Sequence, residues 1–198
     1  MSAPLTIDDI VDQRAYERER AEFRRHVIAL KRLRRVGVGP FVTLVFENRD
    51  TIRFQIQEMA RVEKIITDQG IQTELDTYNP LIPEPGQVSA TLFIELTDKA
   101  QLEEWLPKLV GIETEVELRL GPSGGHRVRC RVDEAHLRQL TREEITASVH
   151  YLHIELDADE VAAFAAGPVT LAVTHPAYPY EVELPTATRA ELLEDLRG

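Results

Sequence analysis

Apolar residues recur at helical spacing through the first part of the chain. Phe23, Val27 and Leu30 lie three or four positions apart, as the buried face of a helix requires. Thr6 offers an N-cap and Gly37 offers a stop. The pattern predicts one long helix between these two residues, about 45 Å long at a rise of about 1.5 Å per residue. Such a helix is longer than a globule of 198 residues easily covers, so we expect a homodimer.

The next segment combines a continuous apolar run with an alternating one. Residues 41–46 are nearly all apolar, which favours a strand covered on both faces. Apolar and polar residues alternate over 52–57, and the Asn-Arg-Asp at 48–50 between the two runs suits a turn. The pattern therefore predicts a β-hairpin. Helical spacing then predicts a helix over 58–70 and a shorter one over 71–78.

The second part of the chain uses one order of elements twice. In each half a strand, a helix, two strands and a helix follow one another, and the last helix of the first half is expected over 134–140. The tripeptide at 94–96, Ile-Glu-Leu, recurs at 154–156, each time shortly before an Asp that can cap a helix. An internal duplication explains this order. The alternative is that an α+β domain repeats such units by chance.

Together these patterns predict an α+β fold. We expect a long N-terminal helix, a β-hairpin and then two β-α-β-β-α units, packed as one compact body of mostly antiparallel sheet and helices. Residues 1–86 form the first region and residues 87–198 the duplicated one.

Composition and charge narrow the function classes. The chain has one cysteine, Cys130, which excludes an internal disulfide and a multi-cysteine metal site within one chain. Residues 1–35 carry a net charge of +3 and the remainder −14, so the two parts should attract each other, within a chain or between chains. The overall acidity and the 6% aromatic content argue against a nucleic-acid partner. No apolar stretch is long enough for a membrane helix, and no signal peptide opens the chain, so we expect a cytoplasmic protein.

The densest polar cluster lies where the predicted hairpin feeds the predicted helix. Amide, carboxylate and guanidinium groups at such a corner can hold an anion or a polar ligand, with arginine giving bidentate contacts. The alternative is a solvated hairpin tip with ordinary ion pairs on a helix surface. The candidate ligand-binding residues are Glu47, Asn48, Arg49, Gln55, Gln57, Glu58, Arg61 and Glu63.

A second candidate site is a metal centre. His153 and Glu155 alternate onto one strand face, and Glu95 holds the matching place in the first copy. Imidazole and carboxylate groups are common metal ligands, and His175 or His26 can complete the set. The alternative is a partly buried histidine hydrogen-bonded to a neighbouring carboxylate. The sequence identifies neither the metal nor any other cofactor.

Several stretches together resemble a known family, the uncharacterised bacterial domain-of-unknown-function family 3501. The most specific of them are the runs 46–51 (Phe-Glu-Asn-Arg-Asp-Thr) and 54–59 (Phe-Gln-Ile-Gln-Glu-Met). The resemblance covers nearly the whole chain and brings no established activity, cofactor or catalytic residue. It implies a link to redox or oxidative stress, because members are encoded near rubrerythrin-like and iron–sulfur proteins.

Two functional hypotheses follow. The first is a non-catalytic intracellular accessory protein that binds a protein partner, a second copy of itself or a small polar ligand through the polar corner and the basic helix. The second is a metal-dependent enzyme that uses His153, Glu155 and Glu95. The sequence leaves open whether the protein is an enzyme.

Overall fold

The computed structural model describes residues 3–121, 125–132 and 145–198. Within these residues the helices are α1 (Gln13–Arg34), α2 (Arg49–Glu63), α3 (Asp68–Tyr78), α4 (Lys99–Trp105), α5 (Ala158–Ala166) and α6 (Thr186–Arg197). The strands are β1 (Arg35–Val38), β2 (Val42–Phe46), β3 (Gln87–Ile94), β4 (Val116–Leu120), β5 (His126–Arg129), β6 (Arg131–Val132), β7 (Val149–Glu155), β8 (Val169–Val173) and β9 (Tyr180–Glu183).

The strands form two antiparallel sheets. One sheet has the order β1-β2-β3-β7-β6 and the other has the order β5-β4-β8-β9. Buried apolar residues of both sheets join one core, which α5 and α6 complete with Phe164 and Leu192. On β3 the positions that face this core are Val88, Ala90, Leu92 and Ile94, as the alternation in the sequence predicts.

Helices α1, α2 and α3 lie over the opposite, polar face of the five-stranded sheet. They have a small apolar cluster of their own, which includes Ile52, Ile56 and Leu75. Acidic residues of the same chain hold the basic C-terminal end of α1. Arg34 is 1% exposed and donates to Asp195 at 2.7 Å and to Glu191 at 3.0 Å, both on α6. This pairing is one form of the predicted attraction between the positive first segment and the acidic body.

The mixed α+β fold, with an N-terminal helix followed by a hairpin, is confirmed, but the hairpin is formed by other residues. It joins β1 to β2, and its turn contains Gly39 with φ of +70°. A Cβ at Gly39 would lie 2.6 Å from a ring atom of Tyr180 and 2.7 Å from the hydroxyl of Tyr178, so only glycine fits the turn. The helix stop expected near Gly37 is therefore part of a strand and its turn.

The predicted return strand over 52–57 is wrong, because these residues belong to α2. The side chain of Asn48 accepts from the backbone N–H of Thr51 at 3.0 Å, and the Thr51 hydroxyl accepts from the N–H of Asn48 at 2.9 Å. This reciprocal cap starts a helix where the sequence suggested a turn. Ile52 and Ile56, which fit a strand face, fit one face of a helix equally well, and both are buried.

The long helix starts later than predicted. Thr6 caps only a short 3₁₀ turn, Ile7–Asp9, and the carboxylate of Asp12 caps α1 by accepting from the N–H groups of Arg14 and Ala15 at 2.8 and 3.0 Å. With its 22 residues, α1 is about 33 Å long. The length argument for a homodimer is correspondingly weaker.

The two predicted copies occupy equivalent places in the sheets. Their first strands, β3 and β7, pair with each other, and their second strands, β4 and β8, pair at the centre of the other sheet. Two copies of one unit whose strands pair side by side would give this arrangement, and the duplication stays a prediction. The helix expected over 134–140 lies outside the described residues. From the first region, β1 and β2 join the same sheet as β3.

No helix in the described part of the chain is both long and apolar enough to cross a membrane.

Candidate functional site

Glu47 follows β2 and turns its carboxylate toward the polar face of the five-stranded sheet. Its side chain is buried, and its Oε1 atom accepts a hydrogen bond from the hydroxyl of Thr91 on β3 at 2.6 Å. The backbone is held on both sides, because its N–H donates to the carbonyl of Ser89 at 2.9 Å and Arg34 donates to its carbonyl at 3.3 Å. These two contacts therefore fix the backbone of Glu47, and the Thr91 hydroxyl orients its carboxylate.

Glu47 lines a cavity of about 220 Å³, here called the sheet cavity, between the sheet and the helices α1 to α3. The sheet supplies its floor from alternate positions of β3 and β7, and the helices supply its roof. The lining residues are Lys31, Glu47, Ile52, Gln55, Tyr78, Leu81, Thr91, Phe93, Val149 and Tyr151.

Two tyrosines lie side by side in the sheet cavity. The rings of Tyr78 and Tyr151 meet edge to face, with their centres 6.4 Å apart. Burial raises the pKa of Tyr151, and the neighbouring Tyr78 and the charge of Glu47 raise it further. The Tyr151 hydroxyl, which is hydrogen-bonded to Tyr78, is therefore neutral at physiological pH and is no base.

Lys31 brings a positive charge to the same cavity. It lies in the last turns of α1, and no carboxylate oxygen of the described residues is within 4.0 Å of its ammonium group. Glu47 and Lys31 thus line one cavity with opposite charges and do not pair with each other. Together with the Gln55 amide and the two tyrosine hydroxyls, they make the cavity a polar binding site with apolar walls.

Three of the predicted site residues hold the chain together. Asn48 caps α2, and Arg49 reaches back to the carboxylate of Asp9 at 2.7 Å. Gln57 is buried and bridges both backbone groups of Val11: its carbonyl accepts from the N–H at 2.9 Å and its amide donates to the carbonyl at 3.2 Å. These contacts fasten the N-terminal segment to α2.

Glu58 is the centre of an ion-pair cluster. It accepts from the hydroxyl of Tyr16 at 2.7 Å, from two nitrogens of Arg20 at 2.7 and 3.0 Å, and from Arg61 at 3.2 Å. The hydrogen bonds from Arg20, with those from Tyr16 and Arg61, lower the pKa of Glu58 to about 2. Tyr16 and Arg20 belong to α1 and Arg61 to α2, so Glu58 acts as a structural anchor between the two helices.

A second, smaller cavity lies next to this cluster. This helix cavity, of about 190 Å³, is lined by Gln57 and Arg61 together with residues of the N-terminal segment and the start of α3. The buried Nε atom of Arg61 has no hydrogen-bond partner within the part of the chain that the structure describes. Five isoleucines are among its other lining residues. Glu63 is exposed and lines neither cavity.

The predicted polar corner is thus divided between two cavities. The structure places Glu47 and Gln55 at the sheet cavity and Gln57 and Arg61 at the helix cavity. Sequence reasoning missed Lys31, Tyr78 and Thr91 as companions of Glu47. The signal for Thr91 was present, because assigning Val88, Ala90 and Leu92 to the core leaves the odd-numbered residues of β3 on the other face.

The structure does not bring together the three predicted metal ligands. Because β3 and β7 are antiparallel, Glu155 lies opposite Gln87, at one end of β3, while Glu95 follows the other end. Eight residues of strand separate these positions by about 26 Å. Glu95 instead pairs with Arg35 and accepts from the Thr43 hydroxyl.

The histidines of the predicted metal site lie in different parts of the fold and contact different partners. His153 and Glu155 lie on β7 beside β6, where Arg131 pairs with Glu155 at 2.9 Å. His175 contacts the backbone carbonyl of Val110 at 3.1 Å, and His26 pairs with Asp50 at 2.8 Å. Among the residues that the structure describes, no group of three or more His, Cys, Asp or Glu side chains is placed to hold a metal ion.

Fold and site together define an α+β protein with a polar cavity between a sheet and a layer of helices. The family described as "Protein of unknown function (DUF3501)" matches residues 4–196, so the chain belongs to this family. A novel protein of unknown function from Burkholderia pseudomallei K96243, known from its crystal structure, is 37% identical with a TM-score of 0.89. The match covers 98% of this chain and 100% of that one.

A curated relative matches only locally. Uroporphyrinogen decarboxylase from Streptomyces griseus subsp. griseus is 37% identical over 68 residues, which are 33% of this chain and 19% of that protein. The chain thus spans about a fifth of the length of this relative.

Proposed function

We propose that the chain is a non-catalytic accessory protein of the cytoplasm that binds a small polar molecule in the sheet cavity. One observation carries the proposal: a single cavity gathers the buried carboxylate of Glu47, the ammonium of Lys31, the amide of Gln55 and two tyrosine hydroxyls against apolar walls. A few convergent polar groups in an otherwise apolar concavity are typical of small-molecule sites.

The size of the cavity limits the ligand. An apolar protein cavity of about 150 Å³ accommodates benzene. A volume of about 220 Å³ therefore suits a molecule of about eight to ten non-hydrogen atoms. This size favours a small metabolite over a peptide or a nucleotide.

Binding without catalysis agrees with the protonation states at hand. The Tyr151 hydroxyl stays protonated because its pKa is raised. Cys130, the one cysteine of the chain, is buried in the core, and burial raises the pKa of its thiol to about 11, so it is a poor nucleophile near neutral pH. The alternative of a metal-dependent enzyme has no such support, since the structure separates Glu95 from His153 and Glu155.

The proposal also includes protein partners and a link to redox proteins. A homodimer or a protein partner stays a prediction, and the molar mass in solution, measured by light scattering, decides between monomer and dimer. The link to redox or oxidative-stress proteins rests on the family resemblance alone, and no contact in the structure argues for it.

Thermal unfolding with a panel of small metabolites tests the proposed ligand binding. A compound at about ten times its Kd should stabilise the protein by about 1.4 kcal/mol and raise Tm by about 3–5 °C. Gln55→Trp places a large side chain at the cavity wall and should abolish the shift. Gln69→Trp, at an exposed position of α3, is the matched control and should retain it. The proposal fails if no compound raises Tm, or if Gln55→Trp responds as the wild type does.

A further inference from the structure

We propose that the ligand of the sheet cavity is zwitterionic, a free α-amino acid with a short aliphatic side chain. This inference rests on the proposed function and names the substrate class of the same cavity. It is carried by the two opposite charges that line the cavity and do not meet, Glu47 and Lys31.

The buried carboxylate of Glu47 favours a positively charged group on the ligand. Residue Glu47 is 6% exposed, and the one hydrogen bond that its carboxylate makes within the described residues comes from the neutral hydroxyl of Thr91 to Oε1. A buried carboxylate is stabilised by charged donors or several neutral ones, and its second oxygen can accept more hydrogen bonds here. An ammonium group in the cavity would supply both the charge and the donors.

The ammonium group of Lys31, which lines the same cavity, favours a negatively charged group on the ligand. A ligand with an amine alone would leave the lysine unpaired, and a ligand with a carboxylate alone would place a like charge near Glu47. A molecule that carries both groups can contact both side chains, and the amide of Gln55 can add neutral hydrogen bonds.

The apolar lining indicates the rest of the ligand. Ile52, Leu81, Phe93 and Val149 form the walls, so the remaining volume accepts a hydrocarbon group. An α-amino acid with a short aliphatic side chain has about eight or nine non-hydrogen atoms, which matches the cavity volume. Longer or charged side chains would exceed this space or leave a charge against apolar walls.

Calorimetric titration of the full chain tests the charge class. The probes are L-valine and L-leucine, each with its decarboxylated amine (isobutylamine, 3-methylbutylamine) and its deaminated acid (3-methylbutanoate, 4-methylpentanoate). We expect at least one amino acid to bind at least about tenfold more tightly than its own amine and acid. Lys31→Met should reduce the preference for the amino acid over the amine to less than about threefold, with little change for the amine. Lys99→Met, on an exposed lysine of α4, is the control and should leave the preference intact.

The outcomes separate this inference from the proposed function. The zwitterion inference is overturned if an amine or an acid binds as tightly as its amino acid. It is also overturned if neither amino acid binds while another compound of the panel binds to the wild type and not to Gln55→Trp. In both cases the binding function stands. If no compound of any class binds, both fall. Glu47→Gln should weaken amino acid and amine together, and Lys31→Met, at a partly exposed position, decides the matter even where the buried substitution impairs folding.

Discussion

Replacing Glu58 with glutamine should remove a measurable part of the stability of the fold. Glu58 receives hydrogen bonds from Tyr16, Arg20 and Arg61, and these lower its pKa from the ordinary 4.5 to about 2. One pKa unit corresponds to about 1.4 kcal/mol, so the ionised carboxylate stabilises the folded chain by up to about 3 kcal/mol. Because the Glu58 side chain is 21% exposed, solvent screening reduces this figure, and we expect about 2 kcal/mol.

The stability that Glu58→Gln removes should depend on pH. A carboxylate whose pKa is lower in the folded state stabilises the fold above its unfolded pKa, and this contribution is lost as the pH falls through the folded pKa. The difference in unfolding free energy between wild type and Glu58→Gln should therefore be constant above about pH 5.5 and fall to less than half of that value near pH 3.

Urea denaturation at a series of pH values, followed by circular dichroism, measures this difference. Glu63→Gln is the matched control, because Glu63 is an exposed carboxylate of the same helix, and its substitution should change the free energy of unfolding by less than about 0.5 kcal/mol. A Glu58→Gln difference that is below about 0.5 kcal/mol near neutral pH, or that does not shrink on acidification, would refute the account of the Glu58 cluster.

Two further substitutions test how the helical layer is attached. Arg34→Met should lower the free energy of unfolding by about 3–5 kcal/mol, because it leaves Asp195 partly buried without its charged donor, and chemical denaturation measures the loss. Gln57→Leu should cost about 1–3 kcal/mol and speed amide hydrogen exchange at Val11, whose two backbone groups lose their partner; an unchanged exchange rate there would contradict the assigned contact.

The strands and helices that a clear apolar period or a helix-capping residue marks were predictable from the sequence. Apolar residues at every second position from Val88 to Ile94 specified both the strand and its core face, and Asp157 before an alanine-rich segment specified a helix start. Both signals are local, because they depend on the period of the pattern or on a single cap.

The start of α2 was not predictable by the same reasoning. Residues 52–57 alternate like a strand, but Ile52 and Ile56 are also four apart, so the pattern fits both structures. The decision came from Asn48 and Thr51, whose reciprocal cap begins the helix. An Asn three residues before a Thr is a weaker sequence signal than the turn it resembles.

The candidate site was half predictable. Glu47 and Gln55 stand out as polar residues between apolar runs, and the structure places both on the sheet cavity. Lys31 and Tyr78 reach it only because α1 and α3 fold over the sheet, which no local pattern specifies. The predicted metal set failed to assemble for the same reason: antiparallel pairing of β3 and β7 sends matching positions of two similar segments to opposite ends.

The central claim is that the sheet cavity is where this protein recognises its ligand. Its most direct test is an NMR titration of the full chain with the most stabilising compound of the metabolite panel, read as changes in backbone amide chemical shift. The account predicts the largest changes at Thr91, Tyr151 and Gln55. Changes centred on Arg61 and Thr67 at the helix cavity, or changes scattered over the surface, would contradict it.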